Sequence, residues 1–224
     1  MAAAAPPSSI ARDVALAPAA SAEGGRVPLA DGPPPAHTGG FGEPTCHACH
    51  SEAPVNPPGG EVRVQGLPAA YRPGASYDVT VVLDAKGTVS AGFQAAIRFT
   101  GTERSGLSAG SIRPLDERVS VQVDTARGMA FVQHTRRGTV VPEGPGSASW
   151  SFRWTAPEAP GPVVLHVAAN SADGDDSPFG DLVYATSVTS APEGSGRLIH
   201  GDRARGSGVV PYQRKPTSAG TRKP

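Results

Sequence analysis

Apolar side chains recur at every second position in short runs between Glu61 and Val188, and this alternation limits the fold more than any other feature of the chain. Successive side chains of a strand point to opposite faces, so a period of two marks a sheet with one face buried. Val62 and Val64 alternate with Glu61, Arg63 and Gln65, and Tyr77, Val79, Val81 and Leu83 alternate with Asp78, Thr80 and Asp84. Phe93, Ala95, Ile97 and Phe99 come next, then Val119, Val121 and Val123, then Met129 and Phe131 against Ala130, Val132 and His134. Trp150, Phe152 and Trp154 make the most aromatic run; Val163, Leu165 and Val167 and the stretch 182–188 complete the series. Eight short strands, parted by turns such as Arg72-Pro73-Gly74 and Ala159-Pro160-Gly161, predict an all-β, antiparallel β-sandwich. No stretch has the periodicity of a helix.

Composition divides the 224 residues. Eleven of the 24 prolines fall in residues 1–60, whereas ten of the 12 aromatic residues fall between Tyr71 and Tyr184, so the material able to bury a core lies in the middle. The expected organisation is a disordered lead or signal remnant over 1–32, a Pro/Gly-rich linker over 33–60, the sandwich over 61–190, and a disordered tail over 191–224. Net charge is zero, but the tail holds seven Lys/Arg against Glu193 and Asp202, so it carries +5 and the remainder −5. Basic residues thus sit in the tail and aromatic residues in the core, which excludes the basic, aromatic-studded surface of a nucleic-acid binder.

Both cysteines of the chain stand in the linker, in Cys46-His47-Ala48-Cys49-His50. Cys-x-x-Cys-His is the attachment signature of a c-type haem. Two thiols add across the porphyrin vinyl groups, and the histidine that follows is held beneath the ring as the proximal iron ligand. The expected cofactor is therefore one covalent haem c, tethered by Cys46 and Cys49 and ligated by His50. Other readings stay open on the residues alone. A thioredoxin-like pair would want a strand and a helix around the motif, and a zinc site would want a second ligand pair that the sequence lacks; a plain structural disulfide remains the simplest alternative.

Haem attachment takes place outside the cytoplasm, so the motif implies export to the periplasm or the cell surface. The run Val14-Ala-Leu-Ala-Pro-Ala-Ala-Ser-Ala22 is short and broken by Pro18, and only Ala20-Ser21-Ala22 has the form of a cleavage site. The expectation is a start upstream of Met1. No apolar run reaches the roughly 18 residues of a membrane span.

Several stretches together resemble a family. They are Thr38-Gly39-Gly40-Phe41-Gly42-Glu43-Pro44-Thr45-Cys46 with Cys49-His50, Gly66-Leu67-Pro68, Tyr71-x-Pro73-Gly74-x-x-Tyr77, Gly92-Phe93-Gln94 and His134-Thr135. Trp150-x-Phe152-x-Trp154-Thr155-Ala156-Pro157, Ala169-Asn170 and Gly180-Asp181 complete the set. In this order they are similar to the bacterial reelin-type domain, also called the choice-of-anchor V domain, over about residues 33–188. The resemblance implies an immunoglobulin-like sandwich in an exported protein associated with the cell surface. The chain departs from the pattern by ending in a plain basic tail in place of a sorting signal.

A haem iron has a second axial position. Met129, His37, His47, His134, His166 and His200 are the candidates, and His134 and His166 rank first. Met129 shares a face with Phe131 and reads as core, His47 lies inside the attachment loop, and His37 precedes the motif by nine residues on the linker. The cluster from Asn170 through Asp173, Asp175 and Asp176 to Asp181 offers oxygen ligands to calcium, but without the spacing of an EF-hand, and a solvated turn is the preferred reading. No Gly-x-Ser-x-Gly elbow or His-Glu-x-x-His helix points to hydrolysis. The sequence thus predicts an exported mono-haem protein that exchanges electrons with a redox partner protein or senses redox state, and leaves its enzymatic status open. The alternative is a cell-surface adhesion or ligand-binding module whose cysteine pair is structural.

Overall fold

The computed structural model describes residues 29–101, 103–142 and 146–194. Residues 1–28 of the lead expected over 1–32, His200 and most of the basic tail lie outside the described residues. Among those described, the alternating runs become ten strands: β1 (Gly60–Gln65), β2 (Ala70–Tyr71), β3 (Ser76–Ala85), β4 (Ser90–Phe99), β5 (Ser111–Pro114), β6 (Val119–Asp124), β7 (Met129–His134), β8 (Ser147–Thr155), β9 (Val163–Ala172) and β10 (Leu182–Pro192). They form a four-stranded sheet in the order β1-β3-β8-β5 and a six-stranded sheet in the order β2-β10-β9-β4-β7-β6. The protein is an all-β sandwich.

All eight runs read from the sequence are strands, and two more join them. β2 has two residues, too few for a pattern, and pairs parallel to the end of β10 through Ala70 with Ala191 and Tyr71 with Pro192. That pair is the exception to the expected antiparallel arrangement. β5 is mostly exposed and ends at Pro114, so no apolar alternation marks it.

The two sheets meet through the alternate residues of their strands. Phe93 of β4 stacks on Trp150 of β8 with centroids 4.7 Å apart, and Tyr71 meets Trp154 edge-on at 5.3 Å. Each such ring contributes about 1.5–3 kcal/mol by leaving water. The polar atoms of these rings are satisfied: Trp150 Nε1 donates to the Gly138 carbonyl and Trp154 Nε1 to the Ala109 carbonyl, each at 2.8 Å, and Tyr71 Oη donates to the Gly161 carbonyl at 2.7 Å. Buried donors left unpaired would cost more than these bonds contribute.

β4 breaks the alternation of burial. Phe93, Ala95, Ile97 and Phe99 point into the sandwich, yet Gly92, Gln94, Ala96 and Arg98 are buried as well. The cover on the second face comes from the segment that precedes β1. Gln94 accepts from the His37 amide at 2.7 Å and donates to the Pro34 carbonyl at 3.0 Å. Arg98, 2% exposed, pairs with Glu43, and its guanidinium lies over the Phe41 and Phe131 rings. Ala36 packs on a small cluster of Ala96, Met129 and Phe131. Gly40 lies so close to the His166 ring that a Cβ there would come within 2.5 Å of it, so this approach requires glycine. The Pro/Gly-rich stretch before the sandwich is therefore a strap across the six-stranded sheet.

Candidate functional site

The strap presents the Cys-x-x-Cys-His motif as one turn of 3₁₀ helix, Cys46–Ala48. Thr45 caps it by accepting from the His47 amide at 3.2 Å, and the amides of Cys49 and His50 both donate to the Cys46 carbonyl at 3.1 Å. The sequence signalled no regular element here, because three residues closed by their own backbone bonds leave no periodicity. Beyond the motif the chain is pinned to the edge of β10. Asn56 exchanges hydrogen bonds with Val183 and Ala185, and Glu52 accepts from the Gly180 amide at 2.5 Å.

His50 is placed by a buried carboxylate. Its Nδ1 lies 2.6 Å from Asp181 Oδ2, with the imidazole 30% exposed and the carboxylate 1%. Asn170 Nδ2 donates to the same Asp181 oxygen at 2.9 Å, while Asp181 Oδ1 and Asn170 Oδ1 are buried without a protein partner. The β9–β10 connection brings these groups together: Asn170 lies near the end of β9, and Asp181 immediately precedes β10. An Nδ1–H donated to a carboxylate leaves the Nε2 lone pair for a metal, which is how metal-ligating imidazoles are usually oriented.

Cys46, Cys49 and His50 line one cleft of about 570 Å³ together with His37, His134 and Arg136. The volume falls in the range of about 300–1,000 Å³ usual for cofactor sites. Desolvation pushes the half-buried Cys46 thiol up to about 12. Among the described residues no group of three or more His, Cys, Asp or Glu side chains is arranged to hold a bare metal ion. The set fits a haem c: two cysteines and an oriented imidazole stand on one cleft.

His134 also borders this cleft, but both its ring nitrogens are engaged. Nδ1 accepts from the Phe93 amide at 3.0 Å, and Nε2 lies 3.2 Å from the Leu29 carbonyl. Its ring occupies the space above Gly92, where a Cβ would come within 2.6 Å, and burial holds its pKa below the usual histidine value. His166 sits elsewhere, under Gly40 and edge-on to Phe41 at 5.5 Å, away from the cleft lining. Met129 lies in the apolar cluster beneath Ala36. Asp175 accepts from the Ser177 amide at 2.7 Å and Asp173 from the Asp175 amide at 3.2 Å, so this loop is built of local turns, and Asp181 faces the motif.

No family model and no curated protein matches the chain. Among solved structures it is similar to the human F-spondin reeler domain (fragment 2), at 24% identity over 60% of this chain and 92% of that one, with a TM-score of 0.38. The Reelin-N domain of F-spondin is 19% identical over 66% of this chain and 97% of that one, with a TM-score of 0.41. A cohesin module of a Clostridium perfringens family 33 glycoside hydrolase is 11% identical over 59% and 96%, with a TM-score of 0.39.

Proposed function

We propose that this is an exported mono-haem c-type protein whose β-sandwich carries the cofactor on a strap, and that it passes single electrons to and from a partner protein. The observation that carries the reading is the His50–Asp181 contact: the histidine of the attachment motif is held through Nδ1 by a buried carboxylate, with Cys46 and Cys49 on the same cleft. Cys46 and Cys49 would form the two thioether bonds, and His50 Nε2 would bind the iron. Bound there, the haem supplies a one-electron couple, ferric to ferrous, with the electron drawn from or given to an external donor or acceptor protein.

The chain's own residues do the rest. Asp181 fixes the imidazole tautomer and makes the ligand more electron-donating. Asn170 holds Asp181 in place, and Glu43 with Arg98 keeps the strap, and with it the motif, against the sheet. Attachment of haem outside the cytoplasm makes the periplasm or the cell surface the compartment of this reading.

The test is an absorption spectrum, oxidised and dithionite-reduced, of protein exported in a host with cytochrome c maturation, beside a Cys46→Ala/Cys49→Ala control. A sharp reduced α-band that survives acid–acetone extraction and vanishes in the control is the expected result. A colourless protein that still folds as β-structure would overturn the haem and leave a surface-binding sandwich with a structural cysteine pair.

A further inference from the structure

The second axial position is where the strap says more than the motif. Among the described histidines, His37, His50 and His134 line the cleft. His134 would have to give up the Phe93 amide or the Leu29 carbonyl to offer a nitrogen, and it is 8% exposed at the end of β7. Met129 and His166 lie outside the cleft.

His37 is arranged as His50 is. Its Nδ1 lies 3.1 Å from the Pro34 carbonyl and 3.2 Å from the Pro35 carbonyl, which fixes the proton on Nδ1 and leaves the Nε2 lone pair uncommitted. Its backbone is held too. Gln94 accepts from the His37 amide and donates to the Pro34 carbonyl, so one buried side chain of β4 clamps both ends of the turn 34–37. Within that turn Ala36 takes φ 67°, a left-handed conformation that a residue with a Cβ adopts at a cost of about 1 kcal/mol or more. The clamp therefore maintains an unfavourable backbone immediately before an imidazole on the cofactor cleft.

We infer that His37 is the second axial ligand, giving the iron two histidines, His37 and His50, both of which line the cleft. The inference rests on the haem reading above and adds to it a coordination state. Two imidazole ligands make the iron six-coordinate and low-spin in both oxidation states, with no position open to exogenous ligands, and suit electron transfer over ligand sensing.

The test uses holoprotein purified from the maturation-competent host, with His37→Ala, His37→Met and His134→Ala variants. In the unmodified protein the ferric spectrum and electron paramagnetic resonance should be low-spin bis-histidine, and the ferrous form should not bind carbon monoxide readily. His37→Ala should turn high-spin, bind carbon monoxide rapidly and return to low-spin on adding imidazole. His37→Met should stay low-spin with a raised midpoint potential, a readout that a folding defect would not produce. His134→Ala should keep the bis-histidine signature. A high-spin unmodified protein, or a His37→Ala spectrum identical to it, would overturn this inference while leaving covalent haem standing; a colourless protein would overturn the haem reading and this inference with it.

Discussion

His50 Nδ1 and Asp181 Oδ2 approach to 2.6 Å across 131 positions of sequence, joining the motif on the strap to the turn that opens β10. A carboxylate so deeply buried is costly unless it is paired, and here the imidazole and the Asn170 amide pair it.

Neutralising that carboxylate should move the redox potential of the haem-loaded protein. Asp181→Asn keeps the shape of the side chain but removes the negative charge that favours the ferric state, so the midpoint potential should rise. Potentiometric titration of the two proteins side by side checks it. An equal potential would mean that Asp181 does not act on the iron through His50.

The strap should be held chiefly by the Glu43–Arg98 pair. Glu43→Ala leaves a guanidinium stranded at 2% exposure and should cost about 3–5 kcal/mol, read by urea denaturation. Protease cleavage within residues 29–59 should accelerate in parallel. Replacing both partners, as Glu43→Leu with Arg98→Met, should recover most of the loss, because an apolar pair carries no desolvation penalty. If the double variant is as unstable as the single one, packing against Phe41 and Phe131, and not charge, holds the strap.

The fold was legible wherever one face of a strand is buried and the other wet, as in Trp150-x-Phe152-x-Trp154. It was less so at β4, where Gln94 and Arg98 alternate with Phe93, Ala95, Ile97 and Phe99 as wet-face residues do, but lie buried because the strap covers them. Alternation reports on polarity, and a polar residue covered by another polar segment looks exposed in sequence. The motif gave Cys46, Cys49 and His50 directly. Asp181 was visible only as one carboxylate of a turn-like cluster, since its partner is brought to it by tertiary folding. His37 stood on what read as a flexible linker, and the residue that fixes it, Gln94, lies 57 positions away.

Acid should weaken the protein through His134. Burial lowers its pKa from the usual 6.5, against the opposing pull of the Phe93 and Leu29 carbonyls and the charge of Asp31. A depressed folded pKa means that the unfolded chain binds the proton first. The stability His134 contributes is thus complete above about pH 6.5 and lost as pH falls through the folded value. Unfolding free energies measured at pH 7 and pH 5 should show this fall, and His134→Gln should flatten it. His166, lowered by burial and by Arg98, adds in the same direction, so a residual slope in His134→Gln should shrink further in the double variant His134→Gln/His166→Gln. An undiminished slope in the double variant would place the acid sensitivity in the carboxylates.

Alkali should act through Cys46 in protein made without haem. Burial raises the thiol from 9.0 to about 12, against the opposing pull of a backbone hydrogen bond. For an acid whose pKa is raised on folding, the neutral form is the one the fold prefers. Stability is therefore full below about pH 9, where both states hold the proton, and declines as pH rises toward 12, because the unfolded chain ionises first. Two measurements follow. Iodoacetamide at pH 8–9 should modify the exposed Cys49 well before Cys46, seen as one alkylated peptide by mass spectrometry, and the loss of stability above pH 9 should be reduced in Cys46→Ala. Equal labelling of both thiols in the folded protein would show that the Cys46 thiol is not desolvated and would overturn this alkaline dependence.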